Sequence, residues 1–469
     1  MSNQATLASK QARRPIGWIV VVTVLALVVA SEAIALAVRS SGTASPTVST
    51  TPPPVTVTVT SGQPAMTASY VLGGTDDDAF NAVAVAPDGS IIVAGLTASV
   101  DGDFPATHGA RDALIAKLGA DGSLIWAKTY GGSNDDAFNG VAIAPDGSII
   151  AVGNTTSTDG DFARVSGGED AVIVKVSPDN GALVWAQVFG GELDDIFNAV
   201  AMAPDGAITA AGVTASTQGS LVATHGGQDA VLVSFTPDGQ PLWANNFGGS
   251  GDDSFAGVAI AADGSIIAVG KSDSADGDFP NHNGVVNAVA ASFTPAGAMT
   301  WGRTYGGTGG DQFNAVTIGP DGALVAAGDT RSSDGTCALA TPTSPQQAMT
   351  ITLTNNGVNH ACQGFMLVGN LTAQGVAVAS DGTVFTVGSE QPTDSDALST
   401  AYPACNLAAP SGGGPFGYDG QTGYFTAAAA APDGTMVAVG QTRADSGVFA
   451  AAHGYDNIDA MVAMYEMVK

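Results

Sequence analysis

Carboxylates recur along this chain at near-constant intervals: Asp76-Asp77-Asp78, Asp135-Asp136, Asp194-Asp195, Asp252-Asp253 and the single Asp311. Each group follows a pair of glycines, which begin at 73, 131, 190, 248 and 306. Clustered carboxylates beside the carbonyls of glycine-rich loops are oxygen donors for a hard cation such as calcium, which takes roughly six to eight of them. On that chemistry the metal candidates are Asp78, Asp136, Asp195, Asp253 and Asp311. The competing reading is structural: an Asp after a tight turn accepts hydrogen bonds from nearby amides and fixes the loop, a need every repeat shares. Recurrence at one place in several repeats favours that second reading, and the chain contains no D-x-[DN]-x-[DN]-G calcium loop.

The other reactive side chains are sparse. Five histidines, at 108, 225, 282, 360 and 453, form no short-spaced metal motif. Four of them, all but His360, fall at one place in the repeat, which suits a hydrogen-bonded loop histidine. There are three cysteines, Cys337, Cys362 and Cys405. In an exported chain one disulfide among them is expected, with Cys337–Cys362 the preferred pair because it would tie down the segment between them. No G-x-S-x-G or phosphate-binding loop occurs, so no catalytic residue is assigned. Identical repeats cannot by themselves form one asymmetric pocket, so a specific site belongs where the repeat breaks, at 333 to 365 and 391 to 424. There Tyr402, Phe416, Tyr418 and Tyr424, with Phe425 beside them, are read as exposed aromatics suited to a sugar or a peptide. The plainer alternative is that these are long, tolerated loops.

The elements that must carry these residues follow from the period. The double glycines, and the tryptophans at 126, 185, 243 and 301, step by 58 or 59 residues, which is the mark of an array. Within one unit Phe80, Ala82, Ala84 and Ala86 alternate with Val83 and Val85 before Pro87-Asp88-Gly89 reverses the chain. Ile91 to Leu96, Ala113 to Leu118 and Leu124 to Tyr130 give three more strands, with Asp121-Gly122 turning between the last two. A four-stranded antiparallel sheet with two apolar faces must stack on its neighbours, and radial stacking makes a β-propeller. The Asp-Gly turn recurs at Asp88, Asp146, Asp205, Asp263, Asp321, Asp381 and Asp433, which predicts an all-β, seven-bladed propeller of four-stranded antiparallel blades. The last unit ends with its third strand, Ala460 to Glu466, while Met66 to Leu72 aligns with the fourth strand of the first blade. Residues 65 to 72 are therefore expected to close the last blade of a propeller spanning 65 to 469.

The pattern of GG, DD and F, a D-G turn, a G-x-T strand end, D-G-D-F-P, D-A and G-x-L-x-W resembles the bacterial SBBP-type β-propeller repeats, over 65 to 332 fully and 370 to 469 in part. The resemblance implies a propeller, usually on an exported protein, and no particular reaction. Val176 to Trp185 also looks like the tryptophan motif of quinoprotein propellers, although the adjacent cysteines of those enzymes are missing here.

Residues 1 to 15 carry Lys10, Arg13 and Arg14, and 16 to 38 is apolar apart from Thr23, Ser31 and Glu32. That length spans about 30 Å of hydrocarbon at about 1.5 Å per residue, with the basic flank held in the cytoplasm and the propeller outside the cell. A cleaved signal peptide ending at Ala35-Leu36-Ala37 is the rival reading. Residues 39 to 64, rich in Ser, Thr and Pro, read as a stalk. The net charge of −29 over 469 residues, with 14 Lys and Arg, argues against nucleic acid as a partner. The sequence therefore points to a membrane-anchored binding or scaffold module at the bacterial cell surface, with a glycan or protein ligand, no required cofactor and calcium as an option. The alternative is an exported enzyme, a hydrolase or a quinone-dependent dehydrogenase.

Overall fold

The computed structural model describes residues 63–105, 107–163, 167–223, 225–279, 284–338, 345–364, 370–391, 400–405, 423–443 and 457–468. The expected membrane segment at 16 to 38 lies outside them, and no helix among the described residues is long and apolar enough to cross a membrane.

The described chain is all β and is arranged as a propeller. Sheet one orders its strands from the inside outwards as Asp78–Val85, Ile91–Thr97, Asp112–Leu118 and Leu124–Tyr130, every pair antiparallel. Sheets two to five repeat this order from Asp136, Asp195, Asp253 and Asp311. Sheet seven is built from Gly423–Ala430, Met436–Thr442 and Asp459–Val468, and its fourth strand is the N-terminal Gln63–Leu72. That strand runs antiparallel to the C-terminal one, with Leu72 opposite Ala460 and Gln63 opposite Val468.

The expectation of seven four-stranded blades is corrected: six sheets are complete. Sheet six, made of Asn370–Val378, Val384–Gln391 and Thr400–Cys405, has three strands among the described residues. The repeat fails there in sequence as well, since no G-x-L-x-W strand follows Cys405.

The turn chemistry explains why the sheets recur so regularly. Asp88 Oδ1 accepts the amide of Ser90, and Asp146, Asp205, Asp263, Asp321, Asp381 and Asp433 each accept the amide two residues on in the same way. The glycine that follows the Asp takes the left-handed backbone an Asx turn of this kind requires, as at Gly89 with φ 83°. Apolar side chains cover both faces of each sheet, so the core is divided into layers between sheets. Phe138, Ile149 and Val174 of sheet two pack on Ile92 and Ile115 of sheet one, and Phe80 and Val93 of sheet one pack on Val437 and Val462 of sheet seven. With that last layer the ring of sheets is closed.

Candidate functional site

The axis of the propeller is built by a bulge in each innermost strand. In sheet one the pairing steps from Phe80–Gly95 to Ala82–Ala94, which leaves Asn81 as the extra residue. The same step leaves out Asn139, Asn198, Ala256, Asn314, Gln374 and Thr426. A bulge re-aims the residue it leaves unpaired, and all seven line one axial cavity of about 200 Å³.

Five of these side chains tie one sheet to the next. Asn81 Nδ2 donates to the Phe138 carbonyl at 3.0 Å, Asn139 to Phe197 at 3.2 Å, Asn198 to Phe255 at 2.9 Å and Asn314 to Ala373 at 2.8 Å. Thr426 Oγ1 ties sheet seven back to sheet one at the Phe80 carbonyl, 2.7 Å away. Ala256 leaves a gap, because a methyl group has nothing to donate to sheet five.

The neighbouring position is where the sheets differ most. The residue between the Gly and the Thr or Ser that end the second strand is Leu96, Asn154, Val213, Lys271 and Asp329 in sheets one to five. Asp329 is buried and accepts Gln312 Nε2, Asn314 Nδ2 and Gln346 Nε2 at 3.1, 3.3 and 3.1 Å. Burial raises its carboxyl pKa against the lowering effect of Gln312 and Asn314. Exposed Arg331 holds the other end of Gln346 at 2.9 Å, and exposed Lys271 lies on the adjacent sheet. The charged positions next to the axial ring are therefore on sheets four and five, where exposed Lys271 and Arg331 can offer cations to a polar ligand while the oxygens of Asp329 are engaged by its three amide neighbours. The sequence signal for it is the variable letter in G-x-T, which carries no meaning until the second strand is paired with the first.

The five metal candidates are not brought together, since each lies in a different sheet. Asp136 is typical: Oδ2 accepts the Gly132 amide at 2.9 Å and Ser157 Oγ at 2.8 Å, while Oδ1 accepts Thr155 Oγ1. Asp195 and Asp311 make the same three bonds, to Gly191, Ser216 and Thr214 and to Gly307, Ser332 and Thr330. Asp78 and Asp253 likewise hold Gly74 and Ser99, and Gly249 and Ser274. Oxygens that point at three donors lock a loop and are poorly placed for calcium. Among the described residues no three His, Cys, Asp or Glu side chains are grouped to hold a metal. Desolvation raises the carboxyl pKa of Asp78 to about 6 and moves Asp136, Asp195 and Asp253 upward as well.

The exposed Asp face is largely occupied in the same way. Asp103, Asp161 and Asp278 accept the first amide of the double glycine, at Gly73, Gly131 and Gly248. Asp101, Asp159, Asp276 and Asp334 accept the amide that follows the pair. His108 and His225 place Nδ1 at 2.7 and 3.3 Å from Asp112 and Asp229. His282 and His453 lie outside the described residues.

The expected aromatic patch fares unevenly. Phe425 is fully buried, which corrects its reading as an exposed contact: it is the sheet-seven counterpart of Phe80 and packs edge-on against Tyr465. Tyr424 is 37% exposed. Tyr402 lies on the third strand of sheet six, opposite Gly388, while Phe416 and Tyr418 lie outside the described residues. Cys337 and Cys362 are joined in a disulfide within sheet five, with Cα atoms 5.8 Å apart.

The outer tryptophans hold neighbouring sheets. Trp126 Nε1 donates to Pro178 O at 3.2 Å, Trp243 to Pro295 O at 3.1 Å and Trp301 to Asn355 O at 2.8 Å.

No family model matches the chain. It is similar to the regulatory protein FlaEY of Caulobacter vibrioides, 25% identical over an alignment of 251 positions that covers 46% of this chain. The chain spans 26% of the length of that curated relative. Among solved structures it is similar to the WD40 domain of Neurospora crassa Pan2, with a TM-score of 0.43 and 9% identity over 86% of this chain and 97% of that one. It is also similar to BamB from Moraxella catarrhalis, with a TM-score of 0.40 and 13% identity over 86% of this chain and all 100% of that one.

Proposed function

We propose that this chain is a binding or scaffold module of the SBBP-repeat type, held at the bacterial cell surface by residues 16 to 38 on a stalk from 39 to 64. Its ligand, a glycan or a protein, docks at the axial face over sheets four and five. One observation carries this reading: five axial side chains are engaged in linking the sheets, whereas on two adjacent sheets Ala256 leaves a gap and Lys271, Asp329 and Arg331 bring charge to positions that are uncharged in sheets one to three. A hydrolase would call for a second carboxylate beside Asp329 on the axial face, and the described residues there supply Asp329 with three amide neighbours.

The test is to present the full chain to a panel of glycans, cell-wall fragments and surface proteins, and to repeat any hit with Lys271→Ala/Arg331→Ala. Loss of the hit with an unchanged melting temperature supports the site. Retention of the hit by the double variant removes it from sheets four and five.

A further inference from the structure

The locking aspartates do not stand alone. A second buried Asp, at the start of the third strand of the preceding sheet, meets each of the first four. Asp459 Oδ1 and Asp78 Oδ2 lie 2.5 and 2.7 Å from where a Cβ on Gly73 would be, so both carboxylates press on one glycine. Asp112 and Asp136 converge in the same way on Gly131, and Asp170 and Asp195 on Gly190. Asp229 and Asp253 interact across the next junction. All eight are at most 1% exposed.

The junction of sheets one and two shows the chemistry most fully. Asp136 is saturated with donors from Gly132, Thr155 and Ser157. Asp112 Oδ2 accepts the backbone amide of His108 at 2.6 Å and faces its Nδ1. Asp112 Oδ1, buried and turned toward Gly131 and Asp136, has no hydrogen-bond partner among the described residues. The other ionisable groups at this junction are Asp161, which accepts the Gly131 amide, Asp159, which accepts the Ser133 amide, the half-exposed His108, and exposed Asp135 and Arg111, the backbone carbonyl of Arg111 accepting the Asp136 amide. Neither carboxylate of the pair is bridged by Lys or Arg among the described residues.

Two buried like charges within about 6 Å, bridged by no Lys or Arg among the described residues, are strongly disfavoured, and a proton held by one of them removes the repulsion and gives the orphaned oxygen a role as donor. The next junctions carry fixed versions of that neutral partner. Asn287 stands where Asp112, Asp170 and Asp229 stand, facing the sheet that begins with Asp311, and at the following junction Gln347 faces a sheet in which Leu371 replaces the locking Asp.

We propose that Asp112 and Asp136 share one proton, and that the junction of sheets one and two is thereby tightened by mild acid and loosened toward neutral pH. The pKa of Asp78, raised to about 6 by desolvation with Asp459 among the further causes, and the upward shift of Asp136 agree with this. A carboxyl whose folded pKa lies above its unfolded value of about 3.8 contributes stability that is complete below that value and is lost as pH rises through the folded one.

The experiment measures the melting temperature of the full chain from about pH 8 to about pH 4.5, with and without calcium or a chelator, for the wild type and for Asp112→Asn. The wild type is expected to gain several degrees between about pH 8 and about pH 5. Asp112→Asn, which copies Asn287, is expected to raise the melting temperature at about pH 8 and shrink that gain. A wild-type melting temperature that is flat or falls on acidification overturns the proposal, as does one raised by calcium at about pH 8, which would mean that the pair holds a cation. Should the variant fail to fold, infrared difference spectra of the wild type decide. A buried carboxylic-acid C=O band persisting at about pH 6 supports the shared proton, and its absence overturns it.

Discussion

The Tyr70 hydroxyl donates to the backbone carbonyl of Asp121. Tyr70 lies on the N-terminal strand that completes sheet seven, and Asp121 lies in the outer turn of sheet one, so this bond joins the two ends of the ring. The ring of Tyr70 also covers Gly122, whose φ of 80° and lack of a Cβ allow the approach. In the other sheets tryptophan does this work, with Trp126 over Gly181 and Trp243 over Gly297. Replacing Tyr70 by Phe removes one hydrogen bond and should cost about 1 kcal/mol, while Ala also removes the buried ring face and should cost about 3 kcal/mol. Urea titration of the two variants checks the order.

The missing donor at Ala256 suggests a gain. Asn there would reach the Phe313 carbonyl as Asn198 reaches Phe255, stabilising the fold by about 0.5–1.5 kcal/mol. Calorimetry reads this directly, and a lower melting temperature would show that the gap serves something other than the ring.

Trp185 differs from its repeats. Its Nε1 is buried without a hydrogen-bond partner among the described residues, whereas Trp126 Nε1 has Pro178 O. Trp126→Phe should therefore cost about 1 kcal/mol more than Trp185→Phe, because it strips away a made bond while the other removes an unmet donor. Denaturant midpoints of the pair measure the difference.

The Cys337–Cys362 bond closes a loop with a sequence separation of 25 in the least regular complete sheet. On chain-entropy grounds it contributes about 3–4 kcal/mol. Cys337→Ser/Cys362→Ser should lower the melting temperature, and a reducing agent should destabilise the wild type and leave the double variant unchanged.

Much of this architecture was legible in the sequence because the period, the Asx turns and the alternation all express backbone geometry. Asp88 and its six counterparts turn the chain where their letters say they do. The axial Asn ring was not legible, because a bulge breaks the alternation at the residue it re-aims: Asn81 reads as one more letter after Phe80. The lock on Asp136 needs Thr155 and Ser157, 19 and 21 positions away, a spacing visible only once the strands are paired. Phe425 was misplaced because it borders an irregular stretch, although its register matches Phe80. Tyr70 was missed because it aligns with Lys128, Gln187, Asn245 and Arg303, which share only a reach to the next sheet's turn.

The central claim is that the N-terminal strand is an integral part of the ring. Native-state hydrogen exchange of the full chain tests it most directly. Amides of Ala65 to Leu72 that pair with Ala460 to Glu466 should be protected to the same degree as the inner strands of sheet seven. Exchange of 65 to 72 at the rate of an unstructured peptide, with sheet seven still protected, would contradict it.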